Sequence, residues 1–543
     1  MTSATPPDFA HSIGRRGALA TIGGALAGAA LVEDPAFAAA ALDVRRFGAK
    51  GDGAAIDSPA INRAIDAATR AGGGTVVVPP GRYLCFSIRL KDNVTLALSP
   101  GTVIVAADPD RHRGSYDAPE NYMEEQFQDF GITHVHNSLI YADGASNIAI
   151  VGRGLIHGVG LDRAEPVGSR WHGDKDWVSA RALGISPKEL ALRNPKERAV
   201  IGRGNKAIGL INCHNVLLSD FTIWEGGHFG VIAHGVSTMT IDRLTIDTNR
   251  DGIDIDCCRN VRVTHCTVNA PKDDAIVLKS SYALGRKVAC EDISILGCRT
   301  SGYRTGTLLD GTFQPSDYAA PDKVGPLGRI KIGTETDGDI RNILISDCVC
   351  EASRGILIGI VDGGVMENVL ISDIVLSDPF NHPLFVHLSG RTRAPRGTGI
   401  GAIRHVRFDS IQVTGARTDT PCGLAGLPGH RIEDVSFSDI SVAGAGGGTA
   451  ADAERTPEER PNASLEVSFM GRLPAMGFYA RHAERLTLRN LEFTVDTTDA
   501  RPTVVLDDVR GAIVDGLVSP QPRDRALATR ASSGIALGDV ASF

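Results

Sequence analysis

Two short segments of this chain put acids and cations where acid–base chemistry is possible. Asn249-Arg250-Asp251-Gly252-Ile253-Asp254-Ile255-Asp256 is followed by Lys272-Asp273-Asp274-Ala275-Ile276-Val277-Leu278-Lys279. An offset of 23 residues superposes Ile253 on Ile276 and puts Asp251 under Asp274. An offset of 22 backwards puts Val231 under Ile253, His228 under Arg250 and His234 under Asp256. Repetition at this period is the mark of a solenoid. If each repeat is one coil, neighbouring coils stack at strand spacing, about 4.8 Å, and Asp251, Asp273 and Asp274 crowd one patch of the outer surface. Crowded carboxyls raise one another's pKa, so one stays protonated to act as an acid while another is ionised to activate water. Farther along, Arg329 and Lys331 are two residues apart on a strand and so share a face, with Ile330 and Ile332 turned to the core. Two such cations can clamp a substrate carboxylate. Taken singly, each motif has a plainer reading: paired Asp residues form turns, and Arg-x-Lys is a solvated face. The ordered set is what points to chemistry.

The elements that must hold these residues recur as one phrase, polar–Asn–apolar–polar–apolar. It stands as SNIAIVG from 146, HNVLLSD from 214, RNVRVTH from 259, RNILISD from 341 and ENVLISD from 367. The apolar anchors Val216, Met239, Val261, Ile293, Ile343, Val369, Val406 and Val435 are 23, 22, 32, 50, 26, 37 and 29 residues apart. The shortest spacing is one bare coil, and longer ones are coils with loops inserted at a corner. A propeller blade takes about 40 residues, so the bare repeats argue against that fold. Asn at the corner suits a left-handed turn and side-chain stacking between coils. Ahead of the coils, Ser58 is placed to cap a helix with Pro59 at its first position, and Ile61, Ala64, Ile65 and Ala68 form its apolar stripe. Such a helix can close the open end of a solenoid. Three insertions stand out: 107–137; 157–206, with Trp171 and Trp177; and 443–474, a Gly-rich stretch expected to be mobile. Long loops in compact folds tend to line binding sites.

The chain has 543 residues and a formal net charge of −8, which excludes a general positive field for nucleic acid or anionic membrane. Residues 1–40 read as an address. Gly14-Arg15-Arg16-Gly17 precedes an Ala/Gly-rich run too short for a membrane span, which resembles a twin-arginine export signal. Residues 41–543 then form a single domain, periplasmic or secreted, with no membrane contact after signal removal and expected to be monomeric. The ten cysteines show no zinc-ligand spacing and read as buried thiols in small core slots, with disulfides possible after export.

The opening, FGAKGDG followed by AINRAIDAATRAGGGTVVVPPGRYL, resembles that of pectin-acting right-handed β-helix enzymes. NRDGIDID, KDDAIVLKS and then Arg329-Ile330-Lys331 resemble the motif order of glycoside hydrolase family 28, the polygalacturonases, over roughly residues 43 to 520. The resemblance implies an all-β, single-stranded right-handed parallel β-helix (a pectin lyase-like solenoid) with an N-terminal capping helix. It also implies an inverting glycoside hydrolase without cofactor or metal, acting on galacturonosyl linkages of pectic polysaccharides or oligosaccharides. Carried over by position, Asp273 protonates the leaving oxygen, Asp251 and Asp274 activate water, and Arg329 and Lys331 bind the substrate carboxylate. If 157–206 and 443–474 wall off one end of the cleft, action is from a chain end.

The chain departs from the family twice. Arg250 stands where the family carries Thr, and its charge beside Asp273 opposes the carboxylate crowding. The family's Gly-His-Gly is missing: Ser301-Gly302-Tyr303-Arg304-Thr305-Gly306 takes its place, with Tyr303 nearest the histidine's position. His228, two coils before Asp273, either compensates as a substrate-binding group or is structural. The pattern looks like a bacterial branch of the family that trims other galacturonosyl linkages. Two alternatives stay open: a calcium-dependent β-helix polysaccharide lyase, and a non-catalytic carbohydrate-binding solenoid.

Overall fold

Each coil repeats three short strands, and the strands stack in register from coil to coil. The computed structural model describes residues 41–118, 120, 134–162, 202–320, 322–392, 398–417 and 419–542. Among them every strand pairing is parallel, and 37 strands join in one wound sheet, which excludes an antiparallel propeller. The coils wind as parallel crossovers do, giving a right-handed parallel β-helix. Residues 1–40, most of 107–137 beyond 118, and 163–201 with Trp171 and Trp177 lie outside the described residues.

The offsets read from the sequence are those of the sheet. Val231 pairs with Ile253 and His234 with Asp256, Ile253 pairs with Ile276, and Ile276 with Ile330. Alternation does the rest. Ile253, Ile255, Ile276, Leu278, Ile330 and Ile332 face inward and are fully buried. Each such side chain contributes roughly 1.5–3 kcal/mol over leaving it exposed. The residues between them form a column on the outer face: Asp254, Val277, Lys331, Leu357, Phe385, Gly423 and Tyr479 are successive register partners.

The corner asparagines are a second register lock. Asn147, Asn215, Asn260, Asn342 and Asn368 all have left-handed backbone, with φ between 53° and 58°. Short polar side chains tolerate that conformation best. Asn147 Nδ2 donates to Asn93 Oδ1 and Asn215 Nδ2 to Asn147 Oδ1, both at 2.8 Å. Asn342 donates to Asp292 (2.9 Å) and Asn368 to Asn342 (3.2 Å).

The capping helix α1 spans Ser58–Arg70 and buries Ala60, Ile61, Ala64, Ile65 and Ala68. Its cap differs from the expectation by one residue. Ser58 is already helical and its hydroxyl accepts from the Phe86 N–H (3.2 Å), while Asp57 precedes the helix and accepts from the N–H groups of Lys50 and Gly51. All ten cysteines are buried free thiols.

The stretch 443–474 corrects the expectation of a mobile loop. Thr449 and Asp452 close a capping box on a short helix, Ala450–Ala453. Beyond it Leu465, Val467, Met470 and Leu473 are buried against the outer-face residues Leu357, Phe385 and Tyr479. Glycines make the socket: a Cβ on Gly333 or Gly359 would lie 2.5 or 2.4 Å from a Leu465 methyl. This segment therefore covers the outer column from Leu357 onward, one coil past Lys331.

Stacking inside the coils gives a prediction. Phe437 is fully buried, parallel to Phe408 at 4.5 Å and edge-on to Phe478 at 4.8 Å. Phe437→Ala should cost roughly 3–5 kcal/mol, with faster hydrogen exchange confined to the coils between 402 and 497 because each coil contacts only its neighbours. A global loss of protection, or none, would contradict this account of the packing.

Candidate active site

The three acids meet because the coils bring a strand entry and a turn to one level. Asp251 opens the strand Asp251–Asp256. The Asp273-Asp274 turn is clamped on both sides by backbone bonds: Gly252 N–H donates to Asp274 O (3.0 Å), Lys272 N–H to Asn249 O (2.8 Å), and Gly328 N–H to Asp273 O (2.9 Å). Gly252 allows this closeness, since a Cβ there would lie 2.3 Å from Val268 Cγ1. One oxygen from each of Asp251, Asp273 and Asp274 lies within 4.8 Å of the others. Asp251 and Asp274 are buried; Asp273, 22% exposed, is the most accessible of the three.

Charge divides the cluster. Arg329 Nε donates to Asp274 Oδ1 (2.7 Å) and Lys331 Nζ to Asp274 Oδ2 (2.9 Å). Burial alone would raise this carboxyl, but Lys331 and Arg329 hold it well below the usual carboxylate range. Asp251 goes the other way: burial, then the charges of Asp254 and Asp273, push it well up against the pull of Lys279 and Arg250. Arg250 Nη2 sits on Asp273 Oδ2 at 2.6 Å, so the departure from the family's Thr puts a cation directly on the accessible acid. Arg329 and Lys331 do share a face, as expected, and the partner they meet there is Asp274.

Three further groups belong to the site and had no role in the sequence reading. Lys279 Nζ donates to Asp254 Oδ2 at 2.5 Å and lies 3.9 Å from Glu335. Burial drives Asp254 up to about 7 despite Lys279. Both residues stand in the quoted motifs, and alternation outward from Ile253 and Leu278 was the signal that could have found them. Glu466 had no such signal. It is 137 residues beyond Arg329, whose Nη1 donates to it at 3.1 Å. Arg354 Nη1 also donates to Glu466 (3.1 Å), and its fork holds Asp322 at 2.7 and 2.6 Å.

Among the described residues, no side-chain hydrogen bond joins His228 or Tyr303 to the three acids. His228 is buried, stacked on Phe229 at 4.3 Å, and burial with the nearby Arg250, Lys206 and Lys279 charges keeps it neutral. Tyr303 is placed through its backbone: its N–H donates to Asn269 Oδ1 (2.8 Å) and its carbonyl accepts from Asn269 Nδ2 (3.0 Å). Asp247 holds the same loop by accepting from the N–H groups of Gly306, Leu308 and Leu309. Among the described residues the ring partner of Tyr303 is Phe313, at 5.7 Å. Trp224, one coil below Asp247, lies flat on His157 at 4.3 Å.

The acid cluster has the ligand types of a calcium site. Its donors are a poor fit, since both oxygens of Asp274 and one of Asp273 already bond to cations. The arrangement suits proton transfer better: one carboxyl held ionised, one inclined to keep a proton, and one at the surface.

Residues 41–271 match the family described as rhamnogalacturonase A/epimerase, pectate lyase-like. The exo-poly-alpha-D-galacturonosidase of Dickeya chrysanthemi is 24% identical over 252 residues, covering 43% of this chain. The chain spans only 41% of that relative's length. Among solved structures, the hyperthermoactive exopolygalacturonase of Thermotoga maritima matches 74% of this chain and 87% of its own, with a TM-score of 0.52 at 23% identity. The family 28 exopolygalacturonase of Yersinia enterocolitica matches 92% of this chain and 78% of its own, with a TM-score of 0.53 at 16% identity. What the chain shares with these two structures is the right-handed parallel β-helix.

Proposed function

We propose that this chain is an exported glycoside hydrolase that removes galacturonosyl units from the ends of pectic chains by acid–base catalysis. The observation that carries the reading is the cluster of Asp251, Asp273 and Asp274 within 4.8 Å, in which burial favours the protonated form of Asp251 and ion pairing the ionised form of Asp274. Asp273, the accessible member, gives its proton to the leaving oxygen. Asp274, kept ionised by Arg329 and Lys331, and Asp251, whose raised basicity suits it to take a proton, orient and activate the attacking water. Proton and water are supplied within one cluster, so the groups titrate together rather than singly. Action from a chain end is supported by the packed 465–475 segment, which stands one coil beyond Lys331 and closes that direction of the groove. The similarity to exo-acting galacturonosidases agrees with it. Export before action rests on the twin-arginine pattern of the first 40 residues.

A lyase or epimerase is the second reading, favoured by the match of residues 41–271 to a family that includes epimerases and is pectate lyase-like. Elimination would leave unsaturated chain ends, and hydrolysis leaves saturated reducing ends. Pectic oligosaccharides digested with a chelator present should yield saturated monomer from the first turnover, with no ladder of intermediate sizes. Unsaturated products or an early ladder would refute, respectively, the hydrolase and the end-acting assignment.

The stereochemical outcome is open to the same kind of measurement. Inverting enzymes usually hold their carboxyls about 6.5–9.5 Å apart to seat a water between them, and retaining enzymes about 5–5.5 Å. The short spacing here requires the water to sit beside the pair. Proton NMR of an α-linked substrate should show the β-anomer first, as inversion demands. The α-anomer first would make Asp251 or Asp274 a nucleophile.

Asp273→Asn should lower kcat by at least roughly a hundredfold on substrates with poor leaving groups, with circular dichroism and melting unchanged. Retention of half the rate would remove Asp273 from the acid role.

The pH profile tests the base. Because Asp251 is raised, the acidic limb of kcat/KM should lie above the ordinary carboxylate value of about 3.9. A cation favours the ionised form, so removing one raises the pKa and the base ionises only at higher pH. Arg250 is among the charges lowering Asp251, and Arg250→Gln should therefore move the acidic limb upward. A limb that stays put or moves down would show that Asp251 does not set it.

A further inference from the structure

Arg250, Arg329, Lys331 and Arg354 lie around the acids, and each is ion-paired within the fold. Asp274 takes Arg329 and Lys331, Asp273 takes Arg250, and Asp322 takes Arg354. Glu466 then bridges Arg329 and Arg354, at 3.1 Å from each. Both guanidiniums are at most 2% exposed, whereas the Glu466 side chain is 26% exposed. Glu466 therefore lies nearer solvent than the two cations it bridges, and its carboxylate fills a position in which another carboxylate could pair with both.

That carboxylate is preset. Asn381 Nδ2 donates to Oε1 (3.0 Å), as does the Val467 N–H (3.1 Å). Leu465 and Val467 on either side are 2% and 1% exposed, so the backbone is fixed by packing. Burial would raise Glu466, but Arg329 and Arg354 hold it below the usual carboxylate range, so the charge is present at neutral pH. A uronate brought to this position meets a fixed like charge. A neutral sugar meets no such repulsion.

We infer that Glu466 is a specificity-determining residue, occupying the carboxylate seat on Arg329 and Arg354 so that the sugar bound on the Arg329 side of the scissile bond is neutral. The preferred linkage then joins a galacturonosyl unit to a neutral sugar rather than to a second galacturonate. This inference rests on the glycosidase reading given above.

The test compares oligosaccharides of matched length whose scissile bond joins galacturonate either to galacturonate or to a neutral sugar. Wild-type enzyme should favour the neutral-sugar linkage in kcat/KM by roughly tenfold or more, the scale of one charge-assisted contact. Glu466→Gln should reverse or erase the preference by raising kcat/KM on the galacturonate–galacturonate bond, mainly through KM. Proportional loss on both substrates would make Glu466 merely structural and overturn the inference, as would a wild-type preference for the galacturonate–galacturonate bond.

Binding provides an arm that leaves Glu466 untouched. Calorimetric titration of Asp273→Asn with the two disaccharides should show tighter binding of the neutral-sugar form. Equal binding, or tighter binding of the digalacturonate, overturns the inference even if Glu466→Gln does not fold. If the neutral form binds tighter and neither substrate is hydrolysed by wild-type enzyme, the inference stands and the hydrolase reading falls.

Discussion

Successive coils lie one strand spacing apart, about 4.8 Å, and nearly everything in this molecule follows from that constraint. Whatever a residue type does at one position, its register partner repeats at close range on the next coil. Apolar partners then stack into a continuous core, and asparagines at the corners hydrogen-bond from turn to turn. Acids at such positions cannot be treated the same way. Asp251 and Asp273-Asp274 come from neighbouring coils, and their charges must be either countered or given up.

The protein does both within a few ångströms. Asp274 is countered by two cations from the following coil and stays ionised; Asp251 and Asp254 are buried deeply enough that the neutral form gains. Cations next to one acid and a low-dielectric setting around another are independent levers on pKa. Their coexistence in one cluster makes it more than a row of turn-forming aspartates. Removing either partner from such a buried pair leaves an uncompensated charge, commonly at a cost of about 3–5 kcal/mol, so the same contacts also bind the coils together.

What the sequence made legible was whatever repeats. A period of 22 or 23 residues and strict alternation were enough for the register, for the inward isoleucines and for the approach of the three acids. The corner asparagines announced the turns. What stayed hidden depends on contacts across many coils. That Arg329 and Lys331 share a face followed from their spacing, but that both bond Asp274 did not, because the direction of a long cationic side chain depends on the anions around it. Glu466 could not be placed because no periodicity links it to Arg329. The Gly-rich look of 443–474 pointed to mobility, and the packing of Leu465 and Val467, invisible to composition, decided otherwise.

Leu465 fits over two glycines, Gly333 and Gly359, that sit on consecutive coils. This socket turns the solenoid into a ruler whose graduations are coils. The wall formed by 465–475 can dock only where two neighbouring coils both lack a side chain, so its distance from the acids changes in whole coils and never by fractions. The length of outer face left uncovered is thus written in the placement of a pair of glycines, independently of the acid cluster. A solenoid of this kind can acquire a different reach without any alteration to the coils that carry its acids.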